Sequence, residues 1–252
     1  MTIMRSDNKG SEGAGTDRES MLRQLARRAV GFSGADIERL VREARQRARR
    51  ERRMLSYADL DALLAATRPT MSPEKRRRVA VHEAGHLLLR VLLGVGQVTL
   101  VTIEAVGGDA FTESIATDGI IETQQACEDY LAVIMGGRAA EQVVYGSALA
   151  GSGGSGQSDL AQATRLATVM ESSLGFGSRH PLLYRDPDHW QTLLRQEARL
   201  ARRVHARIDK AERRARRLVR KNCSQLELVV DELLTHGTIE GGQLTRLLQR
   251  VR

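Results

Sequence analysis

The sequence predicts a mainly α fold (α+β) in which a small β-hairpin or sheet interrupts a series of helices. Most of the chain carries apolar residues at helical spacing, and several of these segments begin with a capping signal. Only residues 97–116 change to the alternating, β-branched pattern of strands. With 252 residues, 41% of them hydrophobic, the chain can build a main core and a small satellite domain.

The amino-terminal region predicts a tail followed by a bundle of three short helices. Residues 1–15 are polar and rich in glycine, so we expect a disordered tail. Capping signals at Thr16, Ser33 and Ser56 each precede an apolar stripe, which predicts one helix after each of them. These helices would form a domain over residues 16–68.

A larger domain is predicted over residues 69–252. Ser72 as N-cap and Pro73 at the first helical position begin a helix that runs to Gly94. Residues 97–116 then predict a hairpin or small sheet with its turn at Gly107 and Gly108. Further helices are expected over 122–145, 158–174, 188–235 with a break near Asn222, and 240–251.

The charge pattern bears on possible partners. The net charge is +8, and arginine is concentrated in residues 45–53 and 195–221. Such runs can bind nucleic acid or an anionic membrane. No aromatic side chains are interleaved for base stacking, so we expect solvated helix faces rather than a nucleic-acid partner.

Cysteine use and hydropathy bear on the compartment. Cys127 and Cys223 form no CxxC pair and no disulfide framework, which is typical of a reducing compartment. The amino terminus lacks the apolar core of a signal peptide, and no apolar run reaches the roughly 18 residues that span a bilayer. We therefore expect a cytoplasmic protein, peripheral at the inner membrane only through partners.

The sequence HEAGH at residues 82–86 is the main chemical signal. On a helix, His82 and His86 lie one turn apart on the same face and can bind one metal ion, and Glu83 lies beside them as a base for an activated water. The flanking residues are apolar and predict a buried helix, where two unliganded imidazoles would be costly. The motif therefore predicts a metal site rather than two surface histidines.

A hydrolytic zinc site normally has three protein ligands, so a third is needed. Spacing alone does not choose among the carboxylates that follow the motif. Asp159 comes after a glycine-rich loop that could fold back onto the first helix, but a carboxylate in the first turn of a helix is also an ordinary structural feature. The candidates are Asp109, Glu113, Asp118, Glu141 and Asp159.

These residues occur among motifs that resemble the FtsH family of AAA zinc proteases. The segment LARRAVGFSGADIERLVREA is similar to the helical lid that ends the family's ATPase module. The segments HEAGH, GGRAAEQVVYG, SDLAQAT, SLGFG and PLLY are similar, in the same order, to the motifs of its peptidase domain. The resemblance covers about residues 20–252 and implies an AAA-type lid followed by a zinc metallopeptidase domain.

The resemblance also implies site residues. Zn²⁺ would be held by His82, His86 and Asp159, with Glu83 as general base and later proton donor. Glu141 would lie behind the ligands as a supporting residue or serve as an alternative ligand. The substrate-binding edge strand would contain Ala110, Phe111, Thr112, Glu113, Ser114, Ile115 and Ala116.

The sequence departs from the family in two respects. It contains no GxxxxGK[ST] phosphate loop, and it shows no apolar segment of membrane-spanning length. We therefore expect that, of the ATPase module, this polypeptide carries the lid alone. On that expectation it does not hydrolyse ATP. Its substrates would be unfolded or extended proteins.

Three functions are compatible with these features. The first is a zinc-dependent metalloendopeptidase without its own motor. The second is a non-catalytic or regulatory subunit that assembles with full-length FtsH-like ATPases, and the third is a basic nucleic-acid-binding module. Family analogy implies a homo-oligomer, a hexamer, or association with such ATPases.

Overall fold

The computed structural model describes residues 21–22, 25–26, 29, 32–67, 71–104, 111–115 and 123–251. These residues fall into two compact units. The first contains the described residues up to Met71, together with Glu104, and the second contains Ser72–Ile103 and the described residues from Phe111 onward. The predicted tail, residues 1–15, lies outside the described residues, and the domain limits 16–68 and 69–252 stay predictions.

The described part of the first unit contains two complete helices, α1 (Gly34–Arg50) and α2 (Tyr57–Ala66). Met21, Leu22, Leu25 and Ala26 are helical where the first of the three helices is expected. Ser33 caps α1 in a capping box with Asp36, as its sequence predicts. Buried apolar side chains from both helices form the core of this unit, namely Leu40, Ala44, Leu63 and Leu64.

The second unit begins with α3 (Pro73–Leu93), which has more buried residues than any other described helix. Ser72 accepts a hydrogen bond from the Lys75 amide at 3.2 Å, and Pro73 occupies the first turn. Gly94 ends the helix in the left-handed conformation at φ 66°, which glycine adopts without strain. The predicted limits of this helix are therefore confirmed.

Beside α3 lies a three-stranded antiparallel sheet of β1 (Gln97–Thr102), β2 (Phe111–Ile115) and β3 (Thr238–Glu240), in the order β2-β1-β3. The predicted pairing of the first two strands is confirmed, with Val101 opposite Thr112, and its turn at Gly107 and Gly108 lies outside the described residues. The third strand was not predicted, because three residues are too short to show an alternating pattern.

The next three α-helices along the described chain are α4 (Gln124–Ile134), α5 (Gly136–Tyr145) and α6 (Asp159–Ser172). The prediction of one helix over 122–145 was wrong, because the chain breaks at Met135. Here α5 packs against α3 through two glycines, and a Cβ on Gly85 would lie 2.4 Å from the carbonyl oxygen of Gly136. This contact brings the backbones of α3 and α5 together.

The carboxyl-terminal helices are α7 (Trp190–Gln196), α8 (Ala198–Lys221), α9 (Cys223–His236) and α10 (Gly241–Val251). The predicted break at Asn222 is confirmed, and a second break lies at Glu197, whose carboxylate binds Arg185 at 2.7 and 2.8 Å. Apolar residues of α8 and α9 pack on the preceding helices and complete the core. The predicted mainly α fold with a small sheet is thus confirmed.

The described helices also bear on membrane insertion. None of them combines the length and the apolar composition that crossing a bilayer requires.

Candidate metal centre

Helix α3 places the first two site residues. His82 and His86 project from one face of α3, one turn apart, and their side chains are mostly buried. The helix around them is held by fully buried apolar residues, among them Val81, Ala84 and Leu87. The two imidazoles are therefore fixed by the core of the second unit.

Asp159 approaches the same point from the start of α6. The oxygen Oδ2 of Asp159 lies 3.1 Å from Nε2 of His82 and 3.4 Å from Nε2 of His86, and the two nitrogens lie 3.1 Å apart. Four-coordinate zinc with bonds of about 2.0–2.1 Å would hold its ligand atoms ~3.3 Å apart. The triangle formed by these three atoms therefore has the dimensions of one face of a tetrahedral zinc site.

Hydrogen bonds on the far side of each imidazole fix which nitrogen faces the triangle. Nδ1 of His86 lies 2.9 Å from the carbonyl oxygen of Val133, which can only accept, so this nitrogen donates. Nδ1 of His82 lies 2.7 Å from Oε1 of Glu141 and donates to that carboxylate. In the neutral rings both Nε2 atoms are then left with lone pairs directed at the third acceptor, Oδ2 of Asp159.

Three acceptor atoms facing one another require a positive charge between them. Oδ2 of Asp159 is buried and receives no hydrogen bond from any residue that the structure describes. Burial lowers the pKa of His82, but the carboxylates of Asp159 and Glu141 outweigh burial and raise it to about 10. Burial likewise opposes ionisation of Asp159, but the neighbouring imidazoles hold its pKa below the usual value. Either a proton or a metal cation can supply the charge, and the arrangement fits zinc.

Glu141 supports the triangle from behind. It is 2% exposed, and both of its oxygens are engaged: Oε1 by His82, and Oε2 by the amide of Leu149 at 2.6 Å. Among the candidate carboxylates, Asp159 therefore contributes an atom to the triangle itself, whereas Glu141 contacts the triangle only through the ring of His82. Asp109, Asp118 and the side chain of Glu113 lie outside the described residues.

Glu83 lies next to the triangle, on the sheet side of α3. Its carboxylate is buried, and Oε2 accepts a hydrogen bond from Oγ1 of Thr112 at 2.8 Å. Burial raises the pKa of Glu83, and the imidazoles of His86 and His82 offset part of this effect. A buried carboxylate with a raised pKa beside a metal triangle is suited to accept a proton.

The predicted substrate strand is only partly described. Residues Phe111–Ile115 form β2 at the edge of the sheet, and Ala110 and Ala116 lie outside the described residues. Of the side chains in this strand, that of Thr112 is described, and it contacts Glu83.

Sequence reasoning missed several groups that shape the site. The Val133 carbonyl and the Leu149 amide are backbone groups, so no residue type signals them. Gly137 leaves room for the ring of His82, since a Cβ there would lie 2.5 Å from Nε2. The double glycine at 136–137 is a visible signal of close packing, but it does not reveal the partner.

Comparisons with known proteins agree with this geometry. Residues 69–247 match peptidase family M41, and residues 20–64 match the AAA+ lid domain. The chain is 33% identical to the ATP-dependent zinc metalloprotease FtsH 2 of Symbiobacterium thermophilum, with 98% of this chain and 43% of that protein covered.

Two further relatives show a similar extent of coverage. The ATP-dependent zinc metalloprotease FtsH of Kosmotoga olearia is 32% identical over 89% of this chain and 38% of its own length. The protein of the same name from Thermotoga maritima is 31% identical over 89% of this chain and 40% of its own length. The chain thus spans about two fifths of the length of these relatives. It belongs to peptidase family M41, the FtsH-type zinc metalloproteases, and carries an AAA+ lid segment ahead of the peptidase domain.

Proposed function

We propose that the chain is a zinc-dependent metalloendopeptidase that cleaves unfolded or extended proteins. The observation that carries this proposal is the triangle of Nε2 of His82, Nε2 of His86 and Oδ2 of Asp159, with sides of 3.1 to 3.4 Å, beside the buried carboxylate of Glu83. A catalytic zinc needs three such ligands and a fourth, open position.

The metal and its ligands have separate tasks in this proposal. His82, His86 and Asp159 hold the ion, while the Val133 carbonyl and Glu141 fix the two rings. When bound, zinc supplies a positive charge that polarises the substrate carbonyl and makes a water molecule more acidic.

Glu83 is the proposed proton acceptor and donor of the reaction. Its carboxylate takes a proton from the attacking water while the water oxygen bonds to the carbonyl carbon of the substrate. As the carbon–nitrogen bond breaks, Glu83 gives that proton to the leaving nitrogen. The raised pKa of Glu83 favours the first transfer, because burial stabilises the protonated carboxyl relative to the carboxylate.

The edge strand β2 is the proposed substrate-binding element. It pairs with β1 on one side, and no described residue pairs with its other side. An extended peptide can add there as a further strand through main-chain hydrogen bonds. Because these bonds do not involve side chains, peptides of many sequences can bind in the same way. This mode of binding suits unfolded chains and accounts for the substrate class.

We assign no ATP hydrolysis to these residues. Folded substrates would need an unfoldase, which an ATPase-bearing relative could supply through association with the lid segment. A reducing, cytoplasmic location is part of the proposal, because the thiol of Cys223 is exposed and forms no disulfide with any described residue.

The test combines zinc content with cleavage of an intrinsically unstructured protein. Wild type should bind about one zinc per chain, and Glu83→Gln should keep the zinc while its cleavage rate falls by about 10²- to 10⁴-fold. Glu74→Gln, an exposed residue on the same helix, should leave both unchanged. Cleavage that persists in Glu83→Gln, or a failure of wild type to retain zinc, would overturn the proposal. Cleavage that appears only with a full-length relative would favour the regulatory-subunit alternative.

A further inference from the structure

Glu83 is held by a side chain from a different element. Oγ1 of Thr112, on β2, donates to Oε2 of Glu83 at 2.8 Å, and the other carboxylate oxygen, Oε1, receives no hydrogen bond from any described residue. One oxygen of the carboxylate is therefore tied to the sheet. The other is left to exchange a proton.

The hydrogen bond restricts a torsion that is otherwise soft. Rotation of a glutamate carboxylate about χ3 is broad, so a carboxylate without a partner samples many orientations. The side chain of Thr112 is β-branched and stiff at χ1, and its backbone lies opposite Val101 in the central strand β1. The anchor is therefore more rigid than the group that it holds.

We propose that Thr112 is a positioning residue, which aims the free oxygen of Glu83 at the attacking water from the strand that binds the substrate. The inference rests on the proposed function, because it gives a role to a contact of the proposed base. It adds a link between substrate and catalysis: the strand that an extended peptide would pair with also orients the carboxylate. A peptide that shifts β2 would shift the base with it.

The test separates the hydroxyl from the shape of the side chain. Thr112→Val keeps the branched shape and removes the donor, and Thr112→Ser keeps the donor. With zinc bound, Thr112→Val should lower kcat by about 10- to 100-fold with little change in KM. Thr112→Ser should stay within a few-fold of wild type. Thr235→Val makes the same change at an exposed position of α9 and should have no effect.

A double variant checks that Thr112 acts through Glu83. In the Glu83→Gln background, Thr112→Val should lower the residual rate by much less than it does in wild type, since the two residues act as a unit. Equal losses in both backgrounds, or a full loss in Thr112→Ser, would overturn the role. If Glu83→Gln alone retains full activity, the proposed function fails instead.

A second readout does not depend on activity. In crystal structures, the Glu83 carboxylate should occupy one orientation in wild type and more than one in Thr112→Val. A single, unchanged orientation in Thr112→Val would overturn the inference even if no cleavage is detected in any variant.

Discussion

Gly137 lies directly against the imidazole of His82. A Cβ on Gly137 would come 2.5 Å from Nε2 and 2.6 Å from both Cδ2 and Cε1 of that ring. Real Cβ atoms do not approach so closely, so the ring would have to move. Since Nε2 is the proposed zinc-binding atom, a side chain at this position would displace a proposed ligand.

Gly137→Ala should therefore weaken zinc binding by at least about 10-fold, because the displaced ring no longer completes the triangle. Competition with a chelator of known affinity measures the effect. Gly151→Ala is the matched control, since a Cβ at Gly151 would meet no atom within 4 Å. Unchanged affinity in Gly137→Ala would show that the position of the ring does not limit zinc binding.

Removal of the proposed third ligand, Asp159, should separate zinc binding from folding. Asp159→Ala should lose most of its zinc and keep the circular dichroism spectrum of wild type. Zinc at 100 times its Kd adds about 2.7 kcal/mol of stability, so a chelator should lower the Tm of wild type and not that of Asp159→Ala. The exposed Asp188→Ala is the control. Full zinc occupancy in Asp159→Ala would point to another ligand.

Glu141→Gln tests the support behind His82. The carboxylate accepts from both Nδ1 of His82 and the Leu149 amide, whereas a glutamine side chain has one acceptor oxygen and one NH₂ donor. The NH₂ group of the glutamine would therefore face either Nδ1 of His82 or the Leu149 amide, and two hydrogen-bond donors would then oppose each other. Zinc affinity should fall by about 10- to 100-fold.

The control for Glu141→Gln is Glu227→Gln, which removes a partly exposed ion pair with Arg77. This variant should bind zinc like wild type. A normal affinity in Glu141→Gln would mean that His82 keeps its orientation without the carboxylate.

We expect the stability of the first unit to depend on pH through Asp59. Arg53 donates two hydrogen bonds to this carboxylate at 2.5 and 2.6 Å, and these bonds, with those from Ser56, hold the pKa of Asp59 below its usual value. A carboxyl with a lowered pKa in the folded state stabilises the fold above its unfolded pKa of about 3.9, and this contribution is lost as the pH falls through the folded value.

Hydrogen exchange of the α2 amides in the full chain measures this effect. Wild type should be better protected than Asp59→Asn at pH 6, and the difference should shrink at pH 3. Asp61 lies on the same helix but is not a suitable control because it has interactions of its own, so the exposed Asp188 in the second unit, changed to Asn, serves instead. A difference that is equal at both pH values would mean that the charge of Asp59 does not stabilise α2.

Several local features of this protein follow from neighbouring residues alone. Ser72, Pro73 and Gly94 specify the limits of α3, because caps act through neighbouring backbone groups. The spacing of His82 and His86 places the two proposed ligands on one helical face for the same local reason. The break at Glu197 escaped prediction because an ion pair with Arg185 accompanies it rather than a local breaker residue. The break at Met135 was missed although Gly136 and Gly137 follow it directly, and close packing of Gly136 against Gly85 accompanies it.

Contacts between residues that are distant in the chain depend instead on how the helices and the sheet pack. Five carboxylates were candidates for the third ligand, and the fold brings Asp159 to the two imidazoles while it places Glu141 behind His82. It also brings Thr112 to Glu83 and Gly137 against His82. These contacts join residues 29 to 77 positions apart in the chain, and their distances depend on how α3, α5, α6 and the sheet pack, which no local pattern of residues encodes.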